Sequence, residues 1–157
     1  MSKISKINSL EQVQKHLTAE CFNKLFIGGQ FVDPIDSKKM PTYYPATGEV
    51  FHELPKGNAH DIQAAIRAAE AAWSDGAWAN MPASKRGDLV SRMAQGIEEN
   101  IEVLAAIEAA DVGKPFRQAE MVLGGAASEG KYWASLGAVL DAEQDTPVSS
   151  GGGVGGL

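Results

Sequence analysis

Length and composition favour a single domain with its own hydrophobic core, because 44% of the 157 residues are apolar and 22% are charged. The formal net charge of −6 argues against a nucleic-acid partner, since binding phosphates requires concentrated lysine and arginine. No apolar run reaches the length that spans a bilayer, so we expect no membrane partner and a cytoplasmic location. The single cysteine, Cys21, excludes an internal disulfide and agrees with a reducing compartment.

The first predicted element is a short helix over residues 10–17, within an N-terminal lead-in of residues 1–23. Ser9 is the expected N-cap, and Gln12 follows it at the spacing of a capping box. Apolar positions are sparse in this lead-in, which leaves its order open.

A short hairpin, followed by two extended segments that a turn joins, is predicted between residues 24 and 55. Residues 25–27 and 30–32 are rich in strand formers and flank the turn pair Gly28-Gly29. A further extended piece runs to Tyr44, residues 45–48 form a turn, and residues 49–54 form a strand that Pro55 closes.

A helix with a narrow apolar face is predicted to follow. Asn58 is the expected N-cap, Asp61 takes the third helical position, and Asp75-Gly76 ends the helix. The predicted apolar face consists of Ile62, Ala65, Ile66, Ala69, Ala72 and Trp73.

A second helix is predicted from Pro82, with a break near Asn100 and an end by Gly113. Its predicted inward stripe consists of Leu89, Val90, Met93, Ile97 and Leu104. A third helix is predicted over residues 117–140. Its glycines, which include Gly124, Gly130 and Gly137, each cost about 1 kcal/mol relative to alanine, so this helix requires tertiary support. Residues 141–157 have the composition of a flexible, glycine-rich tail.

Two segments spell nucleotide-binding motifs. Residues 125–131 fit the G-x-x-x-x-G-K core of a phosphate loop, but Tyr132 stands where serine or threonine is required, and the surroundings favour a helix. Gly151, Gly153 and Gly156 have the spacing of a dinucleotide turn, yet such a turn must open a helix. We therefore interpret both matches as compositional.

The isolated reactive residues favour structural roles. Cys21 has no histidine or acidic partner placed by a motif, so we expect a small packed side chain rather than a nucleophile. The three histidines, His16, His52 and His60, lack the spacing of metal ligands.

Five segments in this order resemble the opening of an NAD(P)-dependent aldehyde dehydrogenase. The two most informative are residues 44–50, Tyr-Pro-Ala-Thr-Gly-Glu-Val, and residues 110–115, Ala-Asp-Val-Gly-Lys-Pro. The others are residues 26–32, 82–86 and 131–134. The resemblance covers residues 24–140, a partial coenzyme-domain segment between the lead-in and the tail.

The resemblance implies an α/β fold: the N-terminal part of the family's coenzyme-binding domain, here mostly α-helices plus short antiparallel β-hairpin strands. Family members oxidise an aldehyde to a carboxylic acid with NAD or NADP. The family's catalytic cysteine, its general-base glutamate and its cofactor motif are absent from this sequence. We therefore expect no catalytic or cofactor-binding residue here, no binding of NAD or NADP by this chain alone, and no activity of this chain alone.

Two secondary sites are carried over from the resemblance. It implies a structural monovalent-cation site formed by the carboxylate of Asp111 and the backbone oxygen of Tyr43, although Asp111 at a helix end could instead bond to local backbone. It also implies that Met121, Val122 and Gly125 lie at the entrance for the aldehyde substrate. Core packing would explain these three residues equally well.

Two alternatives to a segment of an oxidoreductase stay open. One is a non-catalytic helical module whose apolar faces bind a homologous or other chain; the resemblance itself implies a homo-oligomer or such an association. The other is a phosphate-loop nucleotide binder, which predicts an affinity for ATP that Lys131→Ala abolishes.

Overall fold

The computed structural model describes residue 7 and residues 9–144, which form helices and two separate antiparallel hairpins. The elements in chain order are α1 (Leu10–His16), α2 (Glu20–Asn23), β1 (Leu25–Ile27), β2 (Gln30–Val32), β3 (Lys39–Tyr44), β4 (Glu49–Pro55), α3 (Ala59–Ser74), α4 (Ala83–Glu99), α5 (Ile101–Val112), α6 (Phe116–Ser135) and α7 (Gly137–Gln144). None of the helices in this described part is both long enough and apolar enough to cross a membrane.

The predicted hairpin is confirmed, and the two extended segments that follow it pair as a second hairpin. β1 pairs with β2 from Leu25 opposite Val32, and Gly28 and Gly29 in the turn adopt φ of +62° and +80°. These left-handed values are open to glycine at little steric cost. β3 pairs with β4 from Lys39 opposite Pro55, with a shift of register next to Tyr43.

Helix α1 is part of the main hydrophobic core. Ser9 caps it as predicted, accepting a hydrogen bond of 3.3 Å from the backbone N–H of Gln12. Val13 and Leu17 are buried in one cluster with Phe51, Ala106 and Ala110. The N-terminal residues from Ser9 onward are therefore packed against β4 and α5, although their apolar positions are few.

The second half of the fold is a layer in which α6 packs against α4, α5 and α7. Alanine and glycine dominate its contacts: Ala105, Ala119 and Ala127 have no exposed surface, and a Cβ on Gly130 would lie 3.2 Å from the Cβ of Ala94. Small side chains allow helix backbones to approach closely, and this close packing is the tertiary support that the glycine-rich helix was predicted to need.

The predicted third helix is interrupted near its end. Instead of continuing over residues 117–140, α6 ends at Ser135 and α7 begins at Gly137. A Cβ on Gly137 would collide with the carbonyl group of Ala83, which shows how closely the start of α7 packs against the start of α4. Because α7 extends to Gln144, the first residues of the predicted tail are helical, and residues 145–157 lie outside the described residues.

The predicted inward stripe of α4 faces inward except at Met93, whereas the predicted apolar face of α3 is exposed. On α4, Met93 is 72% exposed, although the other members of its predicted stripe are partly buried. On α3, Ile62, Ile66 and Trp73 are 58%, 45% and 66% exposed. The helical spacing of these residues was predicted correctly, but α3 meets the β1–β2 hairpin through a different side, where Ala68 lies near Gly28.

The N-terminus of α3 gives a first prediction. The buried Asp61 carboxylate accepts hydrogen bonds from the backbone N–H of Asn58 at 2.8 Å and from that of Ile35 at 3.2 Å. Asp61→Ala removes the capping box and the tie to the segment after β2, so we expect the free energy of unfolding to fall by about 1–3 kcal/mol. Urea unfolding measures the change. Glu70→Ala, an exposed position of the same helix, is the control, and equal stability of the two variants would contradict the expectation.

The N-terminus of α4 gives a second prediction. The Asp141 carboxylate accepts hydrogen bonds from the backbone N–H groups of Ala83 at 2.6 Å and Ser84 at 2.8 Å. Hydrogen bonds from the Ser84 hydroxyl and backbone hold the pKa of Asp141 below its ordinary value of 3.8. A carboxyl group with a lowered folded-state pKa stabilises the fold fully above pH 3.8, and this contribution disappears as the pH falls through the folded-state pKa.

We therefore expect Asp141→Asn to be less stable than the wild type at neutral pH, and the difference to shrink as the pH falls below 3.8. Thermal unfolding followed by circular dichroism across this range measures it. Glu120→Gln, on an exposed part of α6, should show no comparable difference at neutral pH. A gap between the wild type and Asp141→Asn that is constant with pH would contradict this role of the carboxylate.

Candidate functional site

The structure brings together the two segments that carry most of the family resemblance. β3 ends at Tyr44, and the turn after it is closed by hydrogen bonds from Thr47 and Gly48 to the Tyr44 carbonyl oxygen, at 3.2 and 2.8 Å. α5 ends at Gly113, which has a φ of +71° and whose N–H bonds to the carbonyl of Ala109. A Cβ on Gly113 would lie 3.2 Å from the Cβ of Pro45. Segments about 65 residues apart in the chain are therefore in direct contact.

Beside this contact is an open cavity of about 560 Å³, within the size range of small-molecule sites. α1, the end of β3, α5 and the start of α6 line it. Its lining is mainly apolar and consists of Ile7, Ser9, Leu10, Val13, Tyr44, Ala46, Ala106, Ala109, Ala110, Gly113, Lys114, Pro115 and Phe116. The one charged side chain in this lining, Lys114, forms an ion pair with Glu108, with Nζ and Oε1 2.6 Å apart.

Sequence reasoning missed the contribution of α1 to this cavity. Ser9, Leu10 and Val13 line it, although residues 1–23 were interpreted as a lead-in separate from the main segment. The signal that could have found them is the capped helix itself, because Leu10, Val13 and Leu17 share one face at helical spacing.

The two predicted cation ligands lie on neighbouring elements. Asp111 is exposed in the last turn of α5, and Tyr43 is 54% exposed on β3, at the shift of register. α5 packs against β3. Neither lines the cavity. Within the described ranges, no group of three or more histidine, cysteine, aspartate or glutamate side chains could hold a metal ion. The monovalent-cation site therefore stays a prediction.

The three residues predicted at the substrate entrance lie on one exposed part of α6. Met121 is 71% exposed and Val122 is 51% exposed, while a Cβ on Gly125 would have open space around it. Two turns further along, Tyr132 and Trp133 are also exposed, with ring centroids 5.2 Å apart. Core packing within the described residues does not explain these side chains, and their role at an entrance stays a prediction.

The phosphate-loop motif has no loop to form it. Residues 125–131 lie inside α6, where backbone N–H groups bond to the preceding turn of the helix. The Lys131 ammonium group forms an ion pair with Glu98 on α4. The interpretation of this segment as helix is confirmed, so the phosphate loop that the motif requires is not formed there. The second glycine motif, at Gly151, Gly153 and Gly156, falls outside the described residues.

The isolated reactive residues differ in their outcomes. Cys21 is exposed on α2, so the expectation of a small packed side chain was wrong. α2 has only four residues and no buried member, which leaves this side chain on the surface. His16 and His60 are exposed, whereas the Nε2 atom of His52 is buried without a hydrogen-bond partner among the described residues.

A smaller hollow of about 120 Å³ lies between the two hairpins and is lined by residues that include Asp33, Lys38 and Lys39. One of these lysines is already engaged in an ion pair: the Lys38 ammonium group lies 3.3 Å from the Asp36 carboxylate. Hydrogen bonds from Asn58 and then Lys38 lower the pKa of Asp36. We therefore assign this hollow no ligand.

The sequence from residue 31 to residue 154 matches the aldehyde dehydrogenase family model. The chain belongs to the aldehyde dehydrogenase family, as the resemblance indicated. It is 40% identical over 114 residues to the mitochondrial benzaldehyde dehydrogenase of Antirrhinum majus, a match that covers 73% of this chain and 21% of the relative. It is 42% identical over 96 residues to aldehyde dehydrogenase family 2 member C4 of Arabidopsis thaliana, covering 61% of this chain and 19% of the relative.

A solved structure shows the same fold. The crystal structure of betaine aldehyde dehydrogenase from Staphylococcus aureus, in complex with NAD+, matches with a TM-score of 0.76 and 26% identity. The match covers 81% of this chain and 25% of that protein. The predicted fold class, an α/β segment of mostly helices with short antiparallel strand pairs, is confirmed. The chain spans about a fifth of the length of the curated relatives it matches.

The contact between Pro45 and Gly113 gives a third prediction. Alanine at position 113 would have to adopt the left-handed φ of +71° and press its Cβ toward Pro45. We expect Gly113→Ala to lower the free energy of unfolding by about 1–2 kcal/mol. Gly96→Ala is the matched control, because a Cβ added at Gly96 in α4 would have open space around it. This variant should keep the free energy of unfolding unchanged or raise it by up to about 1 kcal/mol. Urea unfolding measures the change in both variants. An equal loss of unfolding free energy in both would contradict a stabilising role for this contact.

Proposed function

We propose that this chain supplies the N-terminal segment of an enzyme that oxidises an aldehyde to a carboxylic acid with NAD or NADP. The observation that carries the proposal is the family match over residues 31–154, within a fold that overlaps a quarter of the NAD+-bound betaine aldehyde dehydrogenase. Aldehydes give their names to the benzaldehyde and betaine aldehyde enzymes that it resembles, so we assign an aldehyde as the substrate class.

We further infer that these 157 residues do not catalyse the oxidation by themselves. Oxidation of an aldehyde through a thiohemiacetal requires a thiol nucleophile that a neighbouring base activates. Cys21, the one thiol of the chain, is exposed on a four-residue helix. The carboxylate next to it, Glu20, is paired with Lys24, with Oε1 and Nζ 2.7 Å apart. This arrangement supports a surface role for Cys21 rather than a nucleophilic one.

The starts of α3 and α4 do not suit the pyrophosphate of a dinucleotide. A pyrophosphate binds at the free N-terminus of a helix that follows a strand. α3 follows β4, but its first N–H groups donate to the Asn58 side chain, and the Asp61 carboxylate occupies the same turn. The first N–H groups of α4 donate to Asp141. In our proposal NAD or NADP, which supplies the hydride acceptor, is bound outside this segment.

The segment then has supporting roles in the enzyme. The exposed residues Met121, Val122 and Gly125 on α6 would line the route of the aldehyde, because two apolar side chains beside the open space at Gly125 suit the apolar part of such a substrate. Asp111 and the backbone oxygen of Tyr43 would contribute hard oxygen ligands to a structural monovalent cation. We place the enzyme in the cytoplasm, where the exposed free thiol of Cys21 suits a reducing environment; the benzaldehyde dehydrogenase relative is named as mitochondrial.

A second candidate function is a non-catalytic module that binds a homologous or other chain, including a second copy in a homo-oligomer. The observation in its favour is the exposure of large apolar side chains, among them Trp73 at 66% and Trp133 at 64%. A pull-down with the 157-residue chain as bait separates the two candidates when it is combined with an activity assay. A bound chain without any aldehyde-dependent reduction of NAD+ in the complex favours the module.

The proposal predicts that the purified chain of 16.6 kDa does not reduce NAD+ or NADP+ when an aldehyde is added. The absorbance of the reduced nicotinamide measures turnover, and the intact mass of the natural product from its source identifies the species that acts. A heavier natural product with turnover supports an N-terminal segment of a working dehydrogenase. Turnover by the 16.6 kDa chain itself would overturn the inferred inactivity, and a heavier natural product without turnover would overturn the proposed function.

A further inference from the structure

Helix α3 exposes an apolar surface that nothing in the described fold uses. We define the α3 stripe as Ile62, Ile66 and Trp73, which are 58%, 45% and 66% exposed. Their spacings of four and seven residues place them along one side of the helix. The alanines at positions 65, 69 and 72 lie beside them and are exposed as well.

The other sides of α3 have different tasks. One side holds the helix on the domain: Asp61 is bonded to Ile35, and Ala68 lies near Gly28. A second side carries the polar residues Gln63, Arg67 and Glu70, all exposed. At 3.6 residues per turn these two sides and the α3 stripe fall in separate sectors of the helix surface. The α3 stripe is therefore neither the anchoring side of the helix nor its solvated side.

We propose that the α3 stripe is a docking surface for an apolar face of the aldehyde dehydrogenase polypeptide that lies outside the matched segment. This inference rests on the proposed function. The betaine aldehyde dehydrogenase structure overlaps 81% of this chain with only 25% of its own length, so three quarters of such an enzyme remain to supply the cover. The occupant is apolar protein surface, because two isoleucines and a tryptophan gain free energy only by leaving water for such a surface.

The size of the α3 stripe argues against a second copy as the occupant. Its three side chains expose on the order of 350 Å², given the area of large apolar side chains. A stable complex of separate chains buries about 800 Å² on each partner. Self-association through the α3 stripe alone would therefore fall well short of a stable interface, whereas the remainder of one enzyme would cover the stripe as part of a larger contact.

The test joins the complete chain, residues 1–157, to the part of the Antirrhinum majus benzaldehyde dehydrogenase that follows its matched segment. Ile66→Glu and Trp73→Glu place a carboxylate on the α3 stripe, and Arg67→Glu places the same group on the polar side as the matched control. Burying an unpaired charge is costly, so we expect Ile66→Glu and Trp73→Glu to reduce benzaldehyde-dependent NAD+ reduction at least about tenfold and to lower the Tm. Arg67→Glu should leave both nearly unchanged.

The same three substitutions in the 157-residue chain alone provide a second comparison. The α3 stripe is already exposed there, so none of them should alter the unfolding transition. A loss of stability in the isolated chain would mean that the α3 stripe already packs within this chain, which would overturn the proposal.

A direct readout follows Trp73 in a background with Trp78→Phe and Trp133→Phe. We expect acrylamide to quench Trp73 fluorescence freely in the isolated chain and poorly in the fusion. Shielding of Trp73 in the isolated chain that rises with protein concentration would identify a second copy as the occupant and overturn the proposal.

The outcomes separate this inference from the proposed function. A fusion that shields Trp73 but does not oxidise benzaldehyde contradicts the proposed function and leaves the docking surface standing. An active fusion in which Trp73 stays open to acrylamide, and in which Ile66→Glu behaves like Arg67→Glu, overturns the docking surface alone. A fusion that does not fold also counts against the docking surface, because the remainder of the benzaldehyde dehydrogenase is expected to pack against the α3 stripe.

Discussion

The fold depends on the burial of α5 from more than one side. This helix is apolar around most of its circumference, which favours a buried helix over a surface one. Ala106 and Ala110 pack in the cluster with α1 and β4. The same helix also packs against α6, and its Ala105 has no exposed surface. α5 therefore joins the hairpin half of the structure to the helical layer. Its alanines make this possible, because larger side chains would separate the neighbouring backbones.

Local structure could be predicted from the sequence because its causes are local. The caps at Ser9 and Asn58, the turn at Gly28-Gly29 and the break at Asn100 depend on residues within a few positions of each other. The direction in which a helix face points depends on what packs against it. Helical spacing correctly placed Ile62, Ile66 and Trp73 on one side, but it could not show that α3 rests on another side.

The contacts that position the helices relative to each other were beyond sequence reasoning for the same reason. Asp141 was interpreted as the first residue of a flexible tail. Its carboxylate nevertheless accepts a hydrogen bond from the backbone N–H of Ser84, which lies 57 residues earlier in the chain, at the start of α4. No pattern near Asp141 signals this, since the partner is a pair of backbone N–H groups that any sequence could supply. The cavity beside Pro45 was missed likewise, because its wall from α1 comes from a segment with few apolar residues.

The candidate site explains why a segment without assigned catalytic residues can still identify its family. Residues 44–50 and 110–115 are distinctive because they build a turn and a helix end, at which Gly48 and Gly113 adopt φ of +72° and +71°. Alanine at either position would be strained, and Gly113 also lies against Pro45. The resemblance in these two segments therefore reflects backbone geometry rather than catalytic chemistry. Family membership and activity are separable in such a segment, because the family match rests on the sequence of residues 31–154, whereas activity requires a nucleophile, a base and a cofactor that the contact does not supply.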